Sequence, residues 1–374
     1  MPRFRSFVQG GFECATHKNI NRTRIDVVAA TRHEALAAED YRLLKALGIE
    51  TVREGARWHV IESKAGKYDF GSLERIYDAA EVLGVEIVLD LMHFGWPDFL
   101  DVFSDGFVFA FEGFAAKTAR FLRGRSRKQR SVIPVNEMSF LAWAGGDEGL
   151  INPHERGRGG ELKRQLVRAA IAASKVLREE LPGVCLVSAE PVIHIVGREG
   201  APGDHLAAER HRLAMYEATD MLIGRICPEL GGRPEYLDVV GVNFYDRNQW
   251  VNHSRTLTRE DALYRPFHKI LLEVWRRYRK PILVSETGTE DDARASWFEY
   301  VSAEIRTAIA SRVPIEGVCL YPIVNHPGWD DDRHCRNGLW DYADPDGNRE
   351  IHEPLARAVR QQQELFADEL ELVA

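Results

Sequence analysis

Long apolar runs are missing from this chain of 374 residues, and no stretch approaches the roughly 18 residues that a membrane span requires. Charge of one sign is missing as well. Lysine and arginine number 49 against 57 aspartates and glutamates, a net of −8 with no sustained block. That balance argues against nucleic acid or an anionic membrane surface as the partner. Cysteine is scarce: five residues, an odd number without a CxxC pair, point to thiols in a reducing compartment rather than a disulfide framework. The opening MPRFRSFVQGGFE is basic but lacks an apolar core, so no secretory signal is expected and the expected location is the cytoplasm. Low-complexity tracts and linkers rich in Pro, Gly or Ser are absent too, which excludes disorder and gives no place to divide the chain. What remains is 45% apolar and 28% charged, enough to bury a large core, and residues 1–374 read as one domain.

Eight short β-rich apolar runs alternate with longer helical patterns. The runs are SFVQGGFECA, TVREGARW, VEIVLDLM, SVIPVN, VCLVSAE, DVVGVNF, PILVS and GVCLYPI. Amphipathic periodicity predicts helices over Ala35–Leu47, Leu73–Leu83, Phe111–Leu122 and Leu162–Leu181. Gly48, Gly84, Pro182, Gly183 and Pro281 stop helices just before the next strand. Eight such units make a single (β/α)8 TIM barrel the expected fold. A doubly wound open sheet would carry a glycine-rich phosphate turn after an early strand, and none is present.

Barrels of this kind place their chemistry at the C-terminal strand ends. Those positions hold Glu13, His17, Arg53, Arg57, Trp58, His93, Trp96, Asn136, Glu137, Glu190, Asn243, Tyr245, Glu286, Tyr321, Asn325, His326 and Trp329. Carboxylates, donors and aromatic rings suit a sugar, which needs partners for its hydroxyls and a flat apolar surface for its C–H face. Glu137 in VIPVNEMSF and Glu286 in PILVSETGT each emerge from a buried run at the barrel mouth. Two carboxylates flanking a glycosidic bond are what its hydrolysis requires. Arg53 and Tyr245 are available to hold one of them ionised.

With these segments in place, the chain resembles glycoside hydrolase clan A, closest to family 1, as a divergent member. VIPVNEMSF is similar to the family's Asn-Glu-Pro segment and SETG to its Thr-Glu-Asn-Gly segment. REGARW, HFGWP and GVNFY match its strand-two, strand-three and strand-six segments. The resemblance implies a retaining β-glycosidase with Glu286 as nucleophile, Glu137 as acid/base, and Asn136, Arg53 and Tyr245 supporting them. His93 would hydrogen-bond the sugar. Two departures accompany it. The family's strand-one glutamine has no clear equivalent, with His17 near its place. On strand eight the segment YPIVNHPGWDDD puts Tyr321 at the family's tryptophan platform and Gly328 at its sugar-binding glutamate. Sugar specificity is therefore expected to differ from that of β-glucosidases, with the pocket rebuilt from Asn243, Asn325, His326, Trp329 and Asp330. The chain is also shorter than typical members, which implies trimmed loops and a more open cleft.

Neither cofactor nor metal is expected. His17, His93, His326 and His334 lack the HxH and lysine pattern of metal-dependent barrels. The basic run from Arg123 to Arg130 reads as a solvated loop at the non-catalytic end. Cys335 is expected to be exposed. The acidic end FADELELVA reads as a frayed tail from about residue 366, or as a surface for a second copy in a homo-oligomer. The competing functional reading is a catalytically silent barrel that binds carbohydrate or a protein partner. Retention of both glutamates together with Asn136, Arg53 and Tyr245 favours the enzyme.

Overall fold

In the computed structural model, which describes residues 3–125 and 130–373, eight parallel strands run around one core. They are β1 (Val8–Gly11), β2 (Thr51–Gly55), β3 (Glu86–Asp90), β4 (Ser131–Ile133), β5 in two pieces (Cys185–Leu186 and Glu190–Pro191), β6 (Val240–Asn243), β7 (Ile282–Thr287) and β8 (Ile315–Leu320). Neighbours pair in sequence order, and β8 returns to pair with β1. The ring closes through the broken β5. Its first piece pairs with β4 at Ser131↔Cys185, its second with β6 at Glu190↔Val242, and Val187↔Val239 bridges the gap. Crowding explains the break: a Cβ on Gly241 would lie 1.9 Å from the Ser188 carbonyl oxygen, so only glycine permits this approach. The expected closed barrel is present, with all eight strands where the apolar runs lie.

Helices α1 (His33–Ala46), α2 (Gly71–Leu83), α3 (Asp105–Arg123), α4 (Gly159–Glu180), α5 (Glu217–Leu222), α6 (Phe267–Tyr278), α7 (Arg294–Ala310) and α8 (Glu353–Val373) follow the strands. All four helices expected from apolar periodicity begin earlier than it indicates, α3 and α4 by the most. α3 starts where Ser104 Oγ accepts the Phe107 N–H at 3.2 Å, a capping signal rather than a hydrophobic one. The polar first turn of α4 is likewise invisible to a periodicity argument.

The C-terminal reading needs correction. No frayed tail begins at 366, because α8 continues to Val373 and Phe366 is buried, its ring 4.5 Å from that of Phe7. The acidic residues mask an amphipathic helix whose apolar side packs against α7 and Phe7. Cys335 also departs from expectation: it is buried, with its thiol against the Arg333 carbonyl at 3.6 Å. Of the basic run, residues 126–129 lie outside the described residues; Arg123 pairs with Glu180, and Arg125 with Glu74.

A buried ionic cluster joins α1 to β2 and to the C-terminal hairpin. His33 donates from Nδ1 to Asp40 at 2.7 Å and from Nε2 to Glu54 at 2.9 Å, while Arg349 donates to Asp40 at 2.6 Å. Burial opposes the His33 charge, but Glu54 and Asp40 outweigh it and raise the pKa to about 9. A folded pKa above the ordinary 6.5 stabilises the fold fully below pH 6.5 and ceases to do so as pH climbs through about 9. His33→Ala is expected to cost about 3–5 kcal/mol at pH 6, because it removes the cation shared by two buried carboxylates and leaves Glu54 with the Tyr41 hydroxyl alone. Urea titrations at pH 6 and pH 10 should show the gap between wild type and variant narrowing at the higher pH.

Candidate active site

Arg53, third residue of β2, is buried at the barrel axis, and its five N–H donors are all taken. Nε and Nη2 reach Asp90 at 3.0 and 2.7 Å. Nη2 also reaches Asn136 Oδ1 at 2.7 Å, and Nη1 reaches Glu286 Oε1 at 2.6 Å and the Ser285 carbonyl at 3.0 Å. Strands two, three, four and seven are thereby fastened to one planar cation. Because Arg53 fixes Asn136 Oδ1 as an acceptor, the amide Nδ2 donates to His93 Nε2 at 3.1 Å. His93 Nδ1 is left to donate to Asp90 at 2.9 Å.

Asp90 was not among the sequence candidates. It ends β3 inside the apolar run VEIVLDLM, where a lone carboxylate should itself have signalled a buried cation nearby. Burial opposes its charge, and Arg53 and His93 overcome this, holding Asp90 below the usual carboxylate range. Asp90→Asn keeps the shape but removes the charge that orients Arg53. It is expected to lower kcat/KM about 10–100-fold, with KM changing less than kcat. Steady-state kinetics on an activated glycoside measure this, and an unchanged kcat would refute the orienting role.

The two glutamates meet different partners. Glu286 accepts from Arg53 on Oε1 and from the Tyr245 hydroxyl on Oε2 at 2.8 Å. Burial lifts its pKa, and Arg53 and Tyr245 counter that lift. Glu137 accepts one neutral hydrogen bond, from Asn243 Nδ2 at 2.9 Å, and Ser285 Oγ donates to Asn243 Oδ1 at 2.7 Å to orient that amide. Burial and the negative charge of Glu286 raise Glu137 to about 8. The cation and the phenol on Glu286 thus favour its charged form, whereas burial with a single amide partner favours a proton on Glu137.

Glu137 also sits at φ 44°, ψ 57°, a left-handed conformation that costs a non-glycine residue on the order of 1 kcal/mol. Its N–H donates to the Ala189 carbonyl at 2.8 Å, and Glu190 accepts from the Met138 and Ser139 N–H groups at 2.8 and 3.1 Å. The second piece of β5 thus clamps the turn that presents Glu137. Burial lifts Glu190 itself to about 7.

Tyr321 lies beneath the cluster with its ring parallel to that of His93, 6.1 Å away, and the Arg53 guanidinium 5.1 Å above its own face. Gly11 makes room for it, since a Cβ there would lie 2.1 Å from the tyrosine ring. Expected sugar-binding residues further out divide. His17 is fully buried with both ring nitrogens unpartnered and its ring 4.6 Å from that of Trp329, whose Nε1 is also unpartnered. Asn325 and His326 instead serve the protein. Asn325 accepts from the Gly338 N–H and donates to Asp341; His326 bonds the Pro327 carbonyl and Asn337. Asp330 accepts from the Ile20 N–H. Asn325 and His326 thus bond within the strand-eight segment, while Asp330 ties that segment to the strand-one loop.

The strand-one side is walled rather than open. Asn152, on the loop after Glu137, bonds the Lys18 N–H and the Phe94 carbonyl, and Asn19 bonds the Trp329 carbonyl. Among the described residues the grouping with metal-like spacing is Cys14, Asp90 and His93, whose ligand atoms lie within 4.8 Å of one another. Asp90 there is already paired with Arg53 and His93, so these residues satisfy each other without an ion.

Residues 30–98, which contain Arg53, Asp90 and His93, match a glycoside hydrolase family model (family 42) described as β-galactosidase. No curated protein matches the sequence. Among solved structures the chain is similar to the family 1 β-glucosidase from Thermotoga maritima, with 16% identity, a TM-score of 0.76, and coverage of 98% of this chain and 99% of that one. The same enzyme in complex with glucoimidazole gives 16% identity, a TM-score of 0.80 and 98% coverage of both chains. Its castanospermine complex gives 17%, 0.75, and 99% and 98%. At these identities the likeness establishes the fold, a β-glucosidase-like (β/α)8 barrel. Among the described residues no helix is long and apolar enough to cross a membrane.

Proposed function

We propose that this chain is a retaining β-glycosidase with Glu286 as nucleophile and Glu137 as acid/base, acting on a glycoside whose sugar differs from that of ordinary β-glucosidases. The observation carrying this reading is the unequal partnering of the two carboxylates, a cation and a phenol on Glu286 against a single amide on Glu137. Glu286 attacks the anomeric carbon as the bond to the leaving oxygen breaks, and Glu137 gives that oxygen its proton. The glycosyl ester on Glu286 carries no charge, so the repulsion that raised Glu137 disappears. Glu137 then takes a proton from water, which attacks the anomeric carbon, so that the bond to the Glu286 oxygen breaks, the sugar leaves with retained configuration and the Glu286 carboxylate is restored.

A panel of nitrophenyl glycosides, covering both anomers and several sugars, tests the proposal with wild type and Glu286→Ala in parallel. Release from a β-glycoside that vanishes in the variant supports it. Silence on the panel and on β-linked oligosaccharides, with sugar still bound, favours the non-catalytic barrel and overturns it.

A further inference from the structure

Glu13 stands just beyond β1 and has no part in the steps above. Its Oε1 accepts the Ala15 N–H at 2.9 Å and lies 3.8 Å from His93 Nε2. Only 8% of the residue is exposed. Among the described residues no group donates to Oε2, and neither arginine nor lysine pairs with the carboxylate. It stands beside His93, which Asn136 links to Arg53 and so to the proposed nucleophile. β8 alone separates β1 from β7, a span of roughly 10 Å at ordinary strand spacing, and Tyr321 follows the end of that intervening strand. That span matches a pyranose ring with its hydroxyls, with C1 at Glu286. The wall described above holds the strand-one loop in place, so Glu13 is positioned before any ligand arrives. With Oε1 already taken by the Ala15 N–H, Oε2 is left to accept a hydrogen bond from a ligand hydroxyl.

We propose that Glu13 is the residue that selects the sugar: it accepts hydrogen bonds from ring hydroxyls remote from the anomeric carbon and, with neither arginine nor lysine beside it, disfavours sugars that carry a carboxylate. The inference rests on the glycosidase reading and names the class of sugar taken, a neutral glycone with its distal hydroxyls free. The test compares wild type and Glu13→Gln on aryl β-glycosides that are unsubstituted, singly deoxygenated at positions 3, 4 and 6, or oxidised to the uronide. Thermal unfolding first establishes that the variant folds. The variant should lose about 10–100-fold in kcat/KM on the parent glycoside, the worth of a charged hydrogen bond. On the deoxy glycoside lacking the contacted hydroxyl it should lose less than about threefold, and its discrimination against the uronide should shrink about tenfold. Equal losses on every glycoside, or unchanged kinetics, would overturn the inference while leaving the glycosidase reading intact. If wild type cleaves none of the panel, that reading fails. Calorimetric titration of the parent and deoxy monosaccharides against both proteins then decides: a Glu13-dependent preference for the parent sugar upholds the role, and equal or absent binding refutes it.

Discussion

Glu286→Ala is expected to lower kcat by about 10⁴-fold or more, the scale seen when a group that forms the covalent intermediate is removed. The loss extends to activated aryl glycosides, since a good leaving group does not replace the missing attack. The variant should still fold, because Arg53 retains Asp90, Asn136 and the Ser285 carbonyl as partners. An alanine also opens space beside the anomeric carbon. Added azide should therefore restore part of the rate and yield a glycosyl azide of inverted configuration. A substantial rate without any added nucleophile would remove Glu286 from the proposed role.

Glu137→Gln should divide substrates by leaving group. Glycosides with alkyl or sugar leaving groups need the proton and are expected to slow by about 10²–10⁴-fold, whereas bond cleavage in a dinitrophenyl glycoside changes little. The pH profile carries a second signature. Burial and the Glu286 charge raise Glu137 to about 8. Wild-type activity on poor leaving groups should then fall as pH rises through that value and the acid form is lost. The variant has no proton to lose there, so its alkaline limb near pH 8 should vanish. Equal losses on good and poor leaving groups, or a surviving limb, would point to another acid.

The candidate residues were legible to different depths. Arg53, Asn136, Glu137, Asn243, Tyr245 and Glu286 could be found by walking to the C-terminal end of each apolar run, and the structure joins all six in one network. Asp90 escaped because it lies within such a run rather than after it. Glu190 was noted as a strand-end carboxylate, but its clamp on the Glu137 turn depends on the break in β5, which no local signal announces. Asn325 and His326 looked like ligand-binding residues because they are polar and follow a strand. Their partners, Gly338 and Asn337, lie on the returning arm of the loop, and a list of residue types does not contain that fold-back. The acidic residues near the C-terminus hid the apolar side of α8 for the same reason: what covers a face is decided by the body it packs against.

The sequence by itself determined the barrel and where its chemistry gathers, because hydrophobic periodicity, helix stops and strand ends are local properties written along the chain. Only the tertiary structure decided which partners each of the two glutamates meets. That choice turns on contacts such as Arg53 to Glu286, 233 residues apart, and Asn243 to Glu137, 106 apart. Burial and neighbouring charge set a carboxylate's protonation, and both come into being when distant strand ends meet at the mouth of the closed barrel.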